Sequence, residues 1–519
     1  MVSETILDTL PSILNRSVQQ HGANTALSDG FGHVDYETLD RWSNKAANAL
    51  GELGVGKGDR VALVMGNCRE FVFLWFGLAK IGAVHVAINA RLKGDALLYQ
   101  IRHCDPCCLV IDEEVLHSLE IEEREQLPKI PTLVRGSGSA EMSLGSVLEN
   151  ASDAEPKTQG VVASDALVIM YTSGTTGSPK GVVIPHFAYA RAAQDLARVM
   201  ALTERDCMYV CLPLYHGNPQ VMGVMPTLTV GGQIALSTRF SASRFWEEVA
   251  AYRATTFTHI GSILGILLKQ PPVEDEEINT LRLALGGASK PMVEEFSRRF
   301  SCEMLDGWGM IEVGCNTTVT PRVGVPPTGQ HGFPRDCFEI RVVSQDDRPQ
   351  PPGSVGEILV RPTMPNVMFQ GYFNDPDRTL GKMKNLWFHT GDRGRMWDDG
   401  SVEFLGRDED AVRRNGENIS VEMIEGEIAL IDGVSEVAVV GVPAELVGQE
   451  LVACVVRDPN SSLSALDIAR WTNDRLGHSL SPRYVRFMPS FPKTASEKVQ
   501  RFKLRELGLE GALDCHATT

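Results

Sequence analysis

The sequence predicts an α/β protein: a large N-terminal domain of mainly parallel sheets with helices plus a small distorted barrel, then a small α+β C-terminal domain. Three observations predict it. Short β-branched apolar runs alternate with helical patterns through the first three hundred or so residues, the mark of β-α-β units. Near "GEILVRP" and "SVEFLGR" the texture becomes short strands with Gly and Asp turns, which suits an antiparallel sheet or small barrel. After Arg407 it changes again, to a compact unit of about a hundred residues, long enough to fold alone. The boundary is placed at 406/407, giving domains 1–406 and 407–519.

The elements follow in order. "MVSETILDTLPSILNRSVQQ" has helical spacing and lacks the basic start and apolar block of a signal peptide. "RVALVMG", "EFVFLWFGLAKIG", "VHVAIN", "ALLYQIRH" and "CCLVID" read as strand, helix, strand, helix, strand. Within them "FVFLWFGLAKIGAVHVAI" is 18 residues long, at the lower limit for a membrane span, and is interrupted by Lys80 and His85. It reads as a buried helix and strand, and the chain as cytoplasmic with no transmembrane segment. "HCDPCC" (His103 to Cys108) lacks the second ligand pair of a structural zinc site and reads as a helix end, a turn at Asp105-Pro106 and a buried strand. Residues 136–160 carry the weakest order signal and suggest a surface excursion. The alternation resumes with "ALVIMYTSG", a helix from about Ala188 to Met200, "CMYVCLPL", "GGQIAL" and "TTFTHIG". In the C-terminal unit "NISVEMIEGEIALI" and "ALDIARWTNDRL" are helical, while "VSEVAVVGVP" and "ELVACVVRD" are strands.

Bulk properties narrow the partners. The 519 residues are 43% hydrophobic and 22% charged, as in ordinary globular proteins. A net charge of -17 argues against nucleic acid, whose phosphate backbone needs a basic surface, but leaves room for a small polyphosphate on a local positive site. Eleven scattered cysteines suggest reduced thiols. A homodimer is compatible with the sequence.

"YTSGTTGSPKGVV" (Tyr171 to Val183) is the stretch richest in chemistry. A flexible linker would separate two composition regimes; this segment lies inside one, between the apolar strand "ALVIMY" and "GVVIPHFAYARAAQDLA". Its glycines let backbone N–H groups close on an anion, its hydroxyls add donors and Lys180 adds a charge. A Walker loop would put Gly directly before Lys; here Pro179 precedes Lys180 and Gly181 follows.

The pattern closely resembles the phosphate-binding loop of the adenylate-forming superfamily, which includes acyl-CoA synthetases, luciferases and peptide-synthetase adenylation domains. Further motifs arrive in that family's order: "DGWGMIE" (Asp306 to Glu312), "FHTGDRG" (Phe388 to Gly394), "GRDEDAVRRNGENI" (Gly406 to Ile419) and "PKTASEKVQR" (Pro492 to Arg501). The resemblance runs from about Thr25 to Arg505 and is nearest to ligases of the carnitine/crotonobetaine-CoA and polycyclic-acid type.

The resemblance implies two half-reactions: a carboxylate attacks the α-phosphate of ATP, then a thiol displaces AMP. It implies Thr172, Ser173, Gly174, Thr175, Thr176, Gly177 and Lys180 on the β- and γ-phosphates, with Thr175 among the catalytic groups. Trp308 would stack on adenine, with Gly286, Gly287 and Ala288 as the other wall and Asp306 and Gly307 beside it. Glu312 would bind Mg²⁺, while Asp392 and Arg407 would contact the ribose. Lys498 would bridge carboxylate and α-phosphate, an ammonium offsetting the charge of the transition state. "NGENI", with Gly416, would serve beside CoA in the second half-reaction, so the small domain would rotate about a hinge at Glu409.

Departures mark the chain's own character. Ile311 replaces a Thr or Ser, Glu497 replaces the Gly before Lys498, and "VEMIE" replaces P-x-E-I-E. "LGHSL" mimics a phosphopantetheine site at Ser479, but no carrier bundle follows it. The acyl pocket is expected from His216, Asn218, Met222, Ile260, Gly261 and Met310, with Gln220, Met225 and Ile263 adding polar and apolar walls. No acidic residue lies between Tyr209 and Gln233 to pair with a substrate ammonium, so a largely apolar carboxylic acid is expected rather than an amino acid. The readings are an acid–CoA ligase using ATP, Mg²⁺ and CoA; an adenylate-forming enzyme with a non-CoA acceptor, amide-forming or luciferase-like; and a nucleotide-binding relative without catalysis.

Overall fold

The computed structural model describes residues 8–136, 142–157, 160–172, 179–271, 280–314, 317–319, 332–407, 412–414, 417–419, 421–444, 448–477, 480–493 and 499–515. Among them, strands assemble into three large sheets in the N-terminal part and a fourth in the C-terminal domain. The first has eight strands: in spatial order Gly371–Tyr372, Lys180–Pro185, Ala166–Thr172, Val84–Ala87, Arg60–Val64, Cys108–Asp112, Thr132–Arg135 and Met142–Ser143. It is parallel except for the hairpin of Ala166–Thr172 with Lys180–Pro185 and the Gly371–Tyr372 edge. Its inner strands are continuous apolar runs because both faces are covered.

The helix Arg69–Ile81 is buried on every side from Phe71 onward and stops at Gly82, whose φ of 70° makes the left-handed cap. Lys80 is tolerated there because its ammonium donates to Asn44 Oδ1 at 2.6 Å and pairs with Asp40 at 2.5 Å. Among the described residues no helix is long and apolar enough to cross a membrane. "HCDPCC" folds as expected: the helix Gly94–His103 ends, Asp105 takes a φ of 45°, and Cys108 opens a buried strand. The ten described cysteines are unbridged.

The described part of the expected surface excursion at 136–160 is largely exposed yet carries regular structure. Met142–Ser143 extends the sheet and Leu144–Asn150 is a helix that buries Leu144 and Leu148. Lys45 donates to the carbonyls of Glu149 and Ala151 at 2.7 and 2.9 Å, and Asn48 to those of Ser152 and Ala154, both at 2.8 Å. These long-range bonds fasten the segment beside an apolar face of Leu144, Val147, Leu148 and Ala151 at helical spacing.

The second sheet has seven strands, ordered Glu303–Leu305, Leu283–Gly287, Thr256–Ile260, Cys207–Val210, Gln233–Leu236, Thr25–Asp29 and Gly32–Asp35, parallel but for the last pair. The third is antiparallel, five-stranded, and holds Trp387–Met396 between Gly356–Pro362 and Val402–Arg407. The main core lies between the first two sheets and reaches Trp308 and Phe388.

In the C-terminal domain the sheet around Val434–Ala444 and Gly448–Arg457 has a core on each face. Its helix Val421–Ala429 lies against Lys290–Phe300 of the large domain. Gly426 makes that approach possible: a Cβ there would stand 2.1 Å from Ser289 Oγ. Ser289 is the N-cap residue of Lys290–Phe300, yet its hydroxyl makes no capping bond and is buried without a partner.

Gly426→Val should therefore separate the two helices while leaving both domain cores intact. Hydrogen exchange should quicken at 289–293 and 421–429 with an unchanged far-UV spectrum; unchanged exchange at both would contradict the contact.

Candidate active site

The three N-terminal sheets each deliver a piece of one site. The hairpin register sets Thr172 opposite Lys180, which fixes both ends of the glycine-rich segment at the edge of the first sheet. The two-residue strand Gly371–Tyr372 then pairs with the outer side of Lys180–Pro185. This brings Tyr372 under Lys180, whose Nζ lies 5.1 Å from the ring centroid. The Tyr372 hydroxyl donates to Glu312 Oε1 at 2.9 Å.

Glu312 sits in the single turn Ile311–Val313, closed by Gly314 at φ 80°. It is buried, with its backbone carbonyl accepting from Phe369 N at 2.8 Å. Lys180 is half-buried, and its pKa is pushed below the ordinary lysine value by burial. Glu312 opposes that shift; Arg378, Lys382 and Arg407 reinforce it.

Asp392 forms the second focus. Its strand neighbour Arg407 lies directly opposite in the antiparallel register, with Nε 2.9 Å from Oδ1. That contact is an ion pair off the N–H direction, since Oδ1 has no directed hydrogen bond. Trp308 Nε1–H donates to the other oxygen at 2.9 Å. Burial raises the Asp392 pKa, against the pull of Arg407 and of the Trp308 hydrogen bond. The preceding Thr390 hydroxyl donates to Ile358 O at 2.6 Å and accepts from Asp392 N at 3.0 Å, which locks the turn. Gly391, at φ 77°, donates its N–H to Glu357.

The wall from the second sheet has two different glycines. A Cβ on Gly286 would stand 2.3 Å from the His259 carbonyl, so packing demands glycine there. Gly287 is exposed, with nothing near its Cβ position: it is open toward the site. Ala288 is half-buried, and Asp306 Oδ1 accepts from Gly307 N at 2.7 Å. Trp308 is only 4% exposed and belongs to the main core, so it ties two motifs together besides offering a ring.

The acyl segment enters as a π-helix, Asn218–Val224, a geometry often found at functional sites. His216 is half-buried, and Asn218 Nδ2 donates to His259 O at 3.2 Å, leaving its buried Oδ1 without a partner. Ile260 is 46% exposed at a strand end; a Cβ on Gly261 would stand 3.7 Å from the Ala288 backbone, so the acyl and adenine pieces adjoin. Met222 is buried on the π-helix, and Met310 packs against the main core.

Three sequence assignments are corrected. Gln220 is fully buried and its amide is taken by the protein: Nε2 donates to Leu214 O at 2.6 Å and Oε1 accepts from Tyr189 at 3.1 Å. Met225 and Ile263 are packed inside the two N-terminal cores. Ser173, Gly174, Thr175, Thr176, Gly177, Glu409, Gly416, Ser479, Glu497 and Lys498 lie outside the described residues. Sequence reading missed Tyr372, Thr390 and Lys382. Only Thr390 carried a signal, as the middle of "HTGD"; Tyr372 reaches Glu312 through a strand pairing that no spacing announces.

The donor set suits a nucleotide with a hard cation. Among the described residues the Glu312 carboxylate is hydrogen-bonded through Oε1 alone, and one carboxylate oxygen beside phosphate oxygens is how Mg²⁺ is commonly held.

Comparison with known proteins agrees. The family described as AMP-binding enzyme matches residues 14–373, and AMP-binding enzyme C-terminal domain matches 423–498. A crotonobetaine/carnitine–CoA ligase of Salmonella arizonae is 30% identical over 488 residues, covering 91% of this chain and 93% of that one. Its counterpart in Shigella dysenteriae is 31% identical over 505 residues, covering 93% and 96%. Among solved structures, the anthranilate CoA ligase AuaEII with anthranoyl-AMP shares the fold at TM-score 0.87, 24% identity and 97% coverage of both chains. ATP-bound MatB from Rhodopseudomonas palustris superposes at TM-score 0.82 with 27% identity, over 96% of this chain and 98% of that one. With family matches spanning both parts of the chain and relatives aligned along nearly its whole length, the protein belongs to the AMP-binding enzyme family, the adenylate-forming superfamily that its motifs resemble.

Proposed function

We propose that this protein, an AMP-forming acyl-CoA synthetase, activates a carboxylic acid with an uncharged, largely apolar tail and passes the acyl group to CoA by alternating two arrangements of its domains. The observation that carries the reading is the pair of buried carboxylates, Glu312 and Asp392, set around cations of the first and third sheets. Buried carboxylates are costly unless they have something to hold. Here one faces a lysine at the end of a glycine-rich loop, and the other is aimed by an indole and a guanidinium.

In this reading Thr172 and Lys180 anchor the loop 173–178, whose N–H and hydroxyl groups take the β- and γ-phosphates of ATP. The open face of Gly287 and the ring of Trp308 border the adenine, and Asp392 accepts from the ribose hydroxyls. Mg²⁺, when bound, supplies charge neutralisation of the phosphates, with Glu312 as its protein ligand. The carboxylate oxygen of the acid attacks the α-phosphorus, the bond to the bridging oxygen breaks, and pyrophosphate leaves. Lys498 offsets the charge gathered in that step. A CoA thiolate then adds to the acyl carbon and AMP leaves. Residues 1–406 and 407–519 act as two bodies hinged at Glu409, one arrangement presenting Lys498 and the other the 415–419 turn with Gly416. The enzyme works in the cytoplasm.

The substrate's character rests on the pocket segment. The crotonobetaine/carnitine–CoA ligases act on acids that carry a quaternary ammonium, which would want a carboxylate or an aromatic cage. No acid occurs between Tyr209 and Gln233, and Gln220 is already engaged. Asn218 Oδ1 remains for one polar substituent, against Met222, Ile260, Gly261 and Met310. A panel of carboxylic acids with ATP and CoA, read by mass spectrometry, should give thioesters with neutral-tailed acids and none with carnitine; the reverse preference would overturn this.

Two variants test the machinery. Lys498→Ala should lower acid-dependent ATP–pyrophosphate exchange about 10²–10³-fold; loss within about threefold would remove its role. Asp392→Asn tests the buried carboxylate by stability. Because the Asp392 pKa is raised in the fold, the folded state holds the proton more readily than the unfolded chain. Ionisation therefore costs stability above the folded pKa, and the cost is relieved as pH falls through it. In urea titrations between about pH 4 and 8, wild-type stability relative to Asp392→Asn should decline as pH rises. A flat or rising difference would refute the shift.

A further inference from the structure

We propose that Lys382 is a further cation of the nucleotide site, contacting the phosphate chain of ATP beside Lys180. This rests on the ATP-binding reading above. The helix Pro376–Lys382 is fastened to the strand that carries Tyr372. Asp375 accepts from Arg378 N at 3.1 Å at its start, and Thr379 Oγ1 accepts from Tyr372 N at 2.9 Å and donates to Asp375 O at 2.9 Å. Thr379 also lies 3.2 Å from the Cβ position of Gly371, so the helix lies closely against the two-residue strand. Its last residue is thereby aimed: Lys382 Nζ stands 3.3 Å from where a Cβ of Gly391 would be, over the residue that precedes Asp392.

A lysine ending a helix on the surface would ordinarily extend into water beside the last carbonyls. Lys382 is instead half-buried over Gly391 and makes no hydrogen bond or ion pair with the described residues. Its charge acts on Lys180 and on Asp392, two groups of the same site that also feel Arg407, Glu312 and, for Lys180, Arg378. Asp392 is already paired with Arg407, Glu312 with the Tyr372 hydroxyl, and Arg378 with Asp375 at 3.2 Å. Lys382 adds to the positive field at Lys180, behind burial and against the pull of Glu312. Two half-buried lysines, one ending the helix Pro376–Lys382 and one opening the strand Lys180–Pro185, offer a polyanion two cations. The position between the hairpin and the Gly391–Asp392 turn is where the phosphates must run if the loop holds one end and Asp392 the ribose.

The test uses the full chain with Mg²⁺ and compares Lys382→Met and Lys382→Arg with wild type, by calorimetric binding of ATP and of adenosine. Lys382→Met should weaken ATP about tenfold, the worth of one charge-assisted contact, and leave adenosine within about twofold. Lys382→Arg should recover most of the loss. Without nucleotide, Lys382→Met should melt at nearly the same temperature, since the lost repulsion from Lys180 and the lost attraction to Asp392 offset one another; a structural lysine would lower it clearly. Unchanged ATP affinity in Lys382→Met, or equal loss of ATP and adenosine, overturns the proposal. Failure of the wild type to bind ATP at all would instead remove the reading on which it rests.

Discussion

The carboxylate of Asp392 is the constraint on which the rest of the site depends. An ionised side chain that is 3% exposed must be compensated. The compensation comes from three separate segments: its own strand, the opposing strand through Arg407, and the Asp306–Trp308 segment through the indole N–H. Each partner fixes something beyond the charge. Arg407 is the last described residue before the change of texture toward the small domain, so the ion pair holds the exit of the large domain in register. Trp308 joins the core between the first two sheets to the third. An apolar residue at 392 would release all three.

The second organising contact is smaller. Two residues, Gly371 and Tyr372, form the strand that completes the first sheet, and from it hang the hydroxyl on Glu312, the ring under Lys180 and the helix that ends at Lys382. Gly371 stands at φ 140° with Thr379 against its Cα, so a side chain there would push that helix away. The metal-type carboxylate, the loop lysine and the additional lysine are therefore set by one short edge pairing, and a disturbance at any of them reaches the others through a few hydrogen bonds.

Much of this was legible in the sequence, and the reasons differ by residue. Alternation of apolar runs and helices gave the parallel sheets because strands buried on both faces must be apolar throughout. The pairing of Asp392 with Arg407 and the nearness of Glu312 to Lys180 could be anticipated because each residue lies in a local string of motif residues; what they bind belongs to the proposal above. Tyr372 could not be, since its partner Glu312 is sixty residues away and they meet only through sheet pairing. Gln220 was misjudged for the same reason: its amide faces Leu214 and Tyr189, and a sequence shows that a polar group is present but not that it is already satisfied. In the segment 142–157 the helical spacing of Leu144, Val147, Leu148 and Ala151 was masked by the Gly, Ser and Asp around it, and Lys45 and Asn48 fasten it from elsewhere in the chain.

The charge of the whole molecule sharpens the reading of the site. A chain of net charge -17 repels a polyphosphate at long range, and that repulsion is screened by salt. In the proposed reading, ATP is then held by the short-range field of Lys180, Lys382 and Arg407, which partial burial protects from screening. Raising ionic strength thus acts in two directions, easing approach while weakening contacts exposed at the rim. For such a site, half-buried cations are more effective than exposed ones: burial, the main cause of the depressed Lys180 pKa, is also what keeps its field from being screened.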